Sequence, residues 1–362
     1  MTADRRHERQ QAVRDVMTRD GLDALLVTHL PNVRYLTGFT GSAGLLLVLP
    51  GSTVLVTDFR YSAQAPLEVG NSASVEIDQA NVWNRLGRVL ASEGPAAVGV
   101  EGTYLTLRDA DRLRALGRFS VVPTADLVER FRAAKTPAEV SAIIAAATLA
   151  QEALAKVLPG IRDGEREIDV AARLEGALRR RGSEWHPFQT IVASGPRAAL
   201  PHARTTTRTI GRGEWLLLDF GAQVDGYCAD LTRTVVVGAR ADERQRAVYD
   251  VVRRAQARAI AHVAAGMTGR EADALAREPI VTAGFGEAFG HSLGHGLGLE
   301  VHEAPRLSPT AEAALPLHAV VTVEPGVYLP GWGGVRIEDD VYLGPDGPRC
   351  LSDNRTELIE LL

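Results

Sequence analysis

The rhythm of apolar and polar positions changes along this chain. Residues 5–20 follow a helical period and stop at Gly21. Residues 24–28 form a short apolar run, and 44–49 and 53–57 flank a Pro-Gly-Ser turn, so a strand and then a hairpin are predicted. Two further strands, 96–101 and 119–123, enclose a charged helical segment at 107–116. Together these predict a small α/β domain over residues 1–128.

From residue 129 the pattern lengthens. Thr136-Pro137-Ala138-Glu139 reads as a helix start, with proline at the first helical position and glutamate at the third. An alanine-rich run carries that helix to Val157, and Gly160 breaks it. A second helix is predicted over 167–181, ending at Gly182. Strands dominate from there, interrupted by helices over 242–265 and around 270–283. Residues 129–362 therefore form a second, larger domain, and the chain as a whole is α+β.

Composition narrows the function. With 45% apolar residues over 362 positions, the chain can bury two cores. A net charge of −5, with acids interleaved among the arginines, argues against a nucleic-acid partner. The two cysteines, Cys228 and Cys350, lie far apart and outside any zinc-type spacing. The first twenty residues are too charged for a secretory leader, and the most apolar stretch, 43–56, is broken at Pro50 and too short for a bilayer. The expectation is a cytoplasmic protein with no membrane partner.

Candidate chemistry is concentrated in the second domain. Two strand-like runs flank Asp225-Gly226, a strong hairpin signal. With those residues as the turn, Asp219 faces Thr232, and Asp230 is its diagonal neighbour on the same face. Two carboxylates there repel each other and resist ionising when buried, and a cation resolves the conflict. A plain structural reading also exists, with Asp219 capping a turn and Asp230 pairing with Arg233.

Other acids shift that balance. Glu324 ends the apolar run from Ala319, and Glu338 sits on the run Gly333-Gly-Val-Arg-Ile, with a Pro-Gly-Trp-Gly-Gly turn region between them. Two hairpins thus each offer two acids from strand ends. Between the hairpins, three of the nine histidines, His291, His295 and His302, fall within twelve residues. Glycines around His295 let the backbone come close to something. Four carboxylates and a neutral imidazole match the charge of two divalent ions. Oxygen ligands with one imidazole suit manganese, cobalt or zinc better than copper, magnesium or calcium.

In order and spacing, Asp219 and Asp230, Gly-His295-Gly, Glu324-Pro-Gly and Arg336-Ile-Glu338-Asp resemble the proline-specific metallopeptidases of the pita-bread fold, Xaa-Pro dipeptidase (prolidase) and aminopeptidase P. The resemblance spans most of residues 130–362. The preceding domain is similar to the creatinase-type α/β domain found ahead of that fold.

This resemblance implies two divalent ions, manganese foremost, with cobalt or zinc as substitutes. Asp230 and Glu338 would bridge them, Asp219 would hold one, and His295 with Glu324 the other. Water shared by the ions would be the nucleophile and Glu324 the general base. His302 and His291 would act on the substrate near the metals, and His202, in Ala193-Ser-Gly-Pro-Arg-Ala-Ala-Leu-Pro201-His202, would contact it. Arg336 belongs to the same substrate-side set and is expected to hydrogen-bond a ligand carboxylate. Phe188, Tyr328 and Trp332 are candidates for gripping a proline ring.

Arg306 matches an arginine that reads the free carboxylate of a dipeptide in prolidase-like relatives, and Arg34 and Arg60 are further arginines that could reach a site. The expected substrates are small peptides with proline second, dipeptides ahead of longer ones, and the expected assembly is a homodimer. Aminopeptidase P activity is the alternative. A silent pita-bread binding module is more remote, since such proteins lose ligands and all five stand here. A creatinase-like enzyme would lack the acid set, and a methionine aminopeptidase the first domain.

Overall fold

The computed structural model describes residues 5–352 and 356–362, which form two compact units divided between Arg132 and Ala133. The division falls just after a short helix, Glu129–Arg132, because that helix is tied back into the first unit. Asn32 Nδ2 donates to Glu129 at 2.5 Å, and Arg132 donates to Asn32 Oδ1 at 2.8 Å.

The first unit is built on a six-stranded sheet. In chain order its strands are β1 (Ala24–Val27), β2 (Leu45–Val48), β3 (Thr53–Asp58), β4 (Ser74–Asp78), β5 (Ala97–Glu101) and β6 (Ser120–Thr124). Spatially they run β4-β3-β2-β1-β5-β6, with β2 antiparallel to both neighbours and the other pairings parallel. Its helices are α1 (Arg6–Arg19), α2 (Leu30–Thr37), α3 (Gln64–Val69), α4 (Val82–Glu93), α5 (Leu107–Arg114) and the short α6 (Glu129–Arg132). Both α2 and α4 are missed by the apolar pattern. The first is only eight residues long, and only Leu86 and Leu90 of the second are buried. Arg60 pairs with Asp58 on the surface.

In the second unit, α7 (Pro137–Val157) starts with the expected capping box, Thr136 and Glu139 each bonding the other's backbone N–H. By length and composition alone α7 is apolar enough to cross a bilayer, more so than the 43–56 stretch. It is a core helix: Ala146, Ala150, Ala153 and Leu154 pack with α8 (Glu167–Arg180) against a long hairpin.

That hairpin joins β8 (Trp215–Val224) to β9 (Tyr227–Val237) and is flanked by β7 (Ile191–Ser194) and β17 (Ile359–Leu361), in the order β17-β9-β8-β7. Its turn residues, Asp225 and Gly226, have φ of 49° and 77°, the left-handed pair a two-residue hairpin demands. Strand alternation then sorts the side chains. Leu216, Leu218, Phe220, Leu231 and Val235 face α7 and α8, whereas Trp215, Leu217 and Val236 join a core with α9 (Glu243–His262) and α10 (Gly269–Thr282). Asp219 and Asp230 ride on that second face.

The remaining strands form a five-stranded sheet and a separate two-stranded one. Strands β10 (Gly294–Gly296), β11 (Glu303–Leu307), β12 (Val320–Val323), β15 (Asp339–Gly344) and β16 (Gly347–Cys350) make a sheet ordered β11-β10-β12-β15-β16, and β13 (Gly326–Leu329) pairs only with β14 (Gly333–Arg336). The chain passes from β12 to β13 at Glu324-Pro325 and returns from β14 to β15 at Ile337-Glu338. Both acids therefore lie at the break between the two sheets rather than inside a ladder.

Candidate metal centre

The register of β8 and β9 pairs Asp219 with Thr232 and Gly221 with Asp230, so both carboxylates project from one face. Glu338 is brought to the same face by an isolated bridge to Thr232. Thr232 Oγ1 donates to Glu338 Oε2 at 2.6 Å, and Glu338 N donates to Thr232 O at 3.1 Å. Thr234, two residues on, bonds the backbone of Arg336 in both directions. The alternation Asp230, Thr232, Thr234 thus supplies one carboxylate and two hydroxyls that dock the β14–β15 connection.

His295 enters from β10. Its Nε2 stands 3.5 Å from Glu324 Oε1 and 4.0 Å from Asp230 Oδ2. Its Nδ1 lies 3.0 Å from the Gly296 carbonyl, which can only accept, so the proton sits on Nδ1 and the Nε2 lone pair faces the acids. The glycines beside it answer to close packing: a Cβ on Gly294 would lie 2.0 Å from Thr322 O, and one on Gly296 would lie 2.1 Å from Ala304 O. Ligand atoms of Asp230, His295 and Glu338 fall within 4.8 Å of one another.

Electrostatically this cluster is uncomfortable without a cation. Asp219, Asp230, Glu324 and Glu338 are all buried or nearly so. Burial, then the neighbouring Glu338, Asp219 and Glu324, pushes the Asp230 carboxyl well above its ordinary value. Glu324 is pushed well up by burial and then Glu338, with Arg336 opposing. Burial and Asp219 raise Glu338 to about 8. Asp219 is raised by burial too, although Arg336 opposes the shift. Burial, followed by His302, lowers His295 to about 4, so it is neutral at pH 7. Asp230 Oδ1 and Glu338 Oε1 are buried with no hydrogen-bond partner among the described residues. Orphaned carboxylate oxygens beside a neutral imidazole are the donor set a divalent cation satisfies.

Arg336 is 3% exposed. It donates to Asp219 Oδ2 at 2.5 Å, to Tyr328 Oη at 2.9 Å, to Thr232 Oγ1 at 3.1 Å and to the Pro201 carbonyl at 3.3 Å. Each of its three nitrogens is thus engaged within the protein, the Nη2 group with the Asp219 carboxylate. Both ring nitrogens of His291 are likewise taken. Nδ1 is 2.8 Å from Ser292 O, and Nε2 is 2.9 Å from Tyr328 Oη. Nδ1 must donate to that carbonyl, so Nε2 accepts from Tyr328 Oη and the ring is fixed beside Tyr328.

The other expected residues divide. The ring of His302 meets that of His295 edge-on at 4.3 Å between centroids. Exposed His202 lies near enough to act on the charge of Asp219, His291 and His302. Arg306 is exposed on β11 and makes no ion pair or side-chain hydrogen bond among the described residues. Phe188 packs over Gly221, the register partner of Asp230: a Cβ there would meet Phe188 at 3.0 Å and Pro187 at 2.7 Å. Tyr328 joins the polar network instead of offering a free ring. Trp332 is used elsewhere, edge-on against buried Trp215 and beneath Arg244. Arg233, the alternative partner for Asp230, pairs with buried Asp339 at 2.8 Å.

Asp340 was given no role in the sequence reading. It is fully buried, its Oδ2 accepts from Asp230 N at 3.2 Å, and its Oδ1 has no partner. Strand period carries the signal, since Glu338 and Asp340 are two apart, yet consecutive acids read equally well as a solvated strand end. Thr322 was also missed. Its Oγ1 accepts from His295 N at 3.1 Å and reaches Glu324 Oε1 at 3.5 Å.

Comparison with known proteins agrees with this geometry. Residues 141–345 match the model of metallopeptidase family M24, and residues 9–134 match the creatinase/prolidase N-terminal domain. An uncharacterized peptidase of Bacillus subtilis is 42% identical, over 97% of this chain and 99% of its own. Among solved structures, an Xaa-Pro dipeptidase from Bacillus anthracis is similar with a TM-score of 0.95 and 38% identity, covering 98% of this chain and 100% of that one. An X-Pro aminopeptidase from Thermotoga maritima is similar with a TM-score of 0.90 and 34% identity, covering 97% and 99%. The chain is therefore a metallopeptidase of family M24, with a creatinase/prolidase N-terminal domain preceding a pita-bread catalytic domain.

Proposed function

We propose that this enzyme hydrolyses the Xaa-Pro bond of small peptides, dipeptides ahead of longer ones, at a centre of two divalent ions. The carrying observation is the buried convergence of Asp219, Asp230, Glu324 and Glu338 on a neutral His295, with Asp230 Oδ1 and Glu338 Oε1 unpartnered. Asp230 and Glu338, the pair with orphaned oxygens, are assigned as shared ligands. Asp219 is assigned to one ion, and His295 with Glu324 to the other. When bound, the ions supply a nucleophile at neutral pH by lowering the pKa of water, and manganese is the favoured occupant.

The chain's own groups do the rest. Glu324 takes a proton from the attacking water and delivers it to the prolyl nitrogen as the bond breaks. His302, beside His295, donates to the oxygen of the scissile carbonyl as charge builds there. His202 contacts the substrate beside them. Arg336 keeps Asp219 aimed, with Tyr328 and His291 holding Arg336 in turn. Arg306 reads the carboxylate of a dipeptide.

Similarity to both a dipeptidase and an aminopeptidase supports the bond cleaved more strongly than the substrate length. The unpaired guanidinium of Arg306 favours the dipeptide. The test is to assay Gly-Pro, Ala-Pro, an Xaa-Pro-Xaa tripeptide and a Met-Ala peptide with added manganese. Faster metal-dependent cleavage of the dipeptides supports the reading. Preference for the tripeptide makes the enzyme an aminopeptidase, and no metal-dependent cleavage of any substrate defeats both readings.

A further inference from the structure

Behind the proposed centre, on α10, Asp273 and Arg277 form an ion pair at 2.5 Å, with the Asp273 side chain 2% exposed. Neither contributes an atom to the ligand cluster, yet between them they grip three backbone groups of the segment leading into β10. Arg277 donates to the carbonyls of Phe289 at 2.8 Å and His291 at 2.6 Å, while Asp273 Oδ1 accepts from Leu293 N at 2.9 Å. The guanidinium also lies over the Phe289 ring, 4.2 Å from its centroid. An Arg fork with its own carboxylate partner is a rigid clamp, because each group fixes the rotamer of the other.

Two routes lead from this clamp to the metal-side carboxylates. Leu293, held through its N–H by Asp273, accepts from Glu324 N at 2.9 Å through its carbonyl. His291, held through its carbonyl by Arg277, positions Tyr328 Oη, which accepts from Arg336, which in turn donates to Asp219. One route therefore sets Glu324 and the other Asp219. We propose that the Asp273–Arg277 pair on α10 is the positioning device of the metal centre, orienting Glu324 through Leu293 and Asp219 through His291, Tyr328 and Arg336. This rests on the metal centre proposed above. Both residues border a cleft of about 450 Å³ also lined by Arg270, Glu278 and Val281.

The test uses the full-length chain with Arg277→Ala, Arg277→Lys and Asp273→Asn. It measures Mn²⁺ binding by calorimetry and folding by circular dichroism. Arg277→Ala should bind Mn²⁺ about tenfold or more weakly while remaining folded, in line with the effect of outer-shell partners at metal sites. Arg277→Lys, which keeps the charge beside Asp273 but not the fork, should recover part of the loss. The discriminating readout is a cycle with Tyr328→Phe: if Arg277 acts along the His291–Tyr328 route, the two losses are not additive. Full additivity, or Mn²⁺ affinity within about twofold of wild type in Arg277→Ala, overturns the proposal. Should Arg277→Ala not fold, the same cycle is run with Arg277→Lys, and affinity within about twofold of wild type for both Arg277→Lys and Asp273→Asn overturns it equally. Wild-type protein that binds no Mn²⁺ would instead defeat the metal-centre reading itself.

Discussion

Arg306 stands directly across from His295, the two being Cα partners in the antiparallel pairing of β10 with β11. Opposed residues in such a pair project from the same face, so the guanidinium shares the side of the sheet that carries the imidazole. Its positive charge contributes to the lowered pKa of His295, after burial and His302. An arginine held beside the proposed centre without an ion-pair partner is suited to a carboxylate arriving with the substrate. We expect Arg306→Ala to raise KM for Ala-Pro by tenfold or more, the loss of a charge-assisted pair being about 1.5–3 kcal/mol. A tripeptide should be affected less. Equal losses on both would remove Arg306 as the carboxylate reader.

Asp230 belongs to the carboxylate cluster and carries an oxygen that nothing among the described residues satisfies. Asp230→Ala should therefore bind fewer than two equivalents of Mn²⁺ and lose nearly all activity, because a shared ligand disappears. Calorimetry recording two full equivalents in this variant would refute its assignment.

Arg336 makes four side-chain hydrogen bonds while almost fully buried, so no substitute keeps them all. Lysine retains the charge but not the fork. Arg336→Lys is expected to weaken Mn²⁺ binding by about 10–100-fold, as for other partners that orient a metal ligand. Direct substrate contact predicts another pattern, a raised KM at wild-type metal affinity, and kinetics with saturating Mn²⁺ separates the two.

The pH dependence of stability has a definite sign. Glu338 is raised from its ordinary 4.5 to about 8, chiefly by burial and Asp219. In chelator-treated protein the folded state then keeps a proton that the unfolded chain has released. The stability this contributes is fully present below pH 4.5 and is lost as pH rises through about 8. Asp230 and Glu324 shift in the same direction. Bound cations favour the ionised carboxylates and remove the penalty. The gain in Tm on adding Mn²⁺ should therefore grow between pH 5 and pH 8; a gain that is flat or shrinks would contradict the burial of these groups.

Gly294 is a packing test of the same site. A Cβ there meets Thr322 O at 2.0 Å, and Thr322 anchors the backbone of His295. Gly294→Ala should destabilise the protein by about 1–3 kcal/mol, as overpacking does, and displace His295. Urea denaturation unchanged from wild type would mean that β10 has room to shift.

Local chemistry made much of this protein legible in advance. The Thr136 capping box and the Asp225-Gly226 turn are set by interactions among a few neighbouring residues, so the α7 start and the Asp219–Thr232 register could be read directly. Like charges at strand ends likewise make a cation a candidate wherever they meet, and the order and spacing of the motifs joined His295 to the four acids. What the sequence could not decide was the meeting itself. Glu324 and Glu338 read as ends of one simple hairpin; tertiary packing splits that hairpin into two sheets and leaves both acids at the break. Arg336 and His291 carry the right chemistry for substrate contact, but only the fold shows the partners they hold within the protein, Asp219, Tyr328 and Ser292. Trp332 could have faced a proline ring until its packing on Trp215 fixed it elsewhere. Spacing along a chain determines which side chains share a face, whereas their partners depend on contacts between residues as distant as Arg336 and Pro201, 135 positions apart, which only the folded packing specifies.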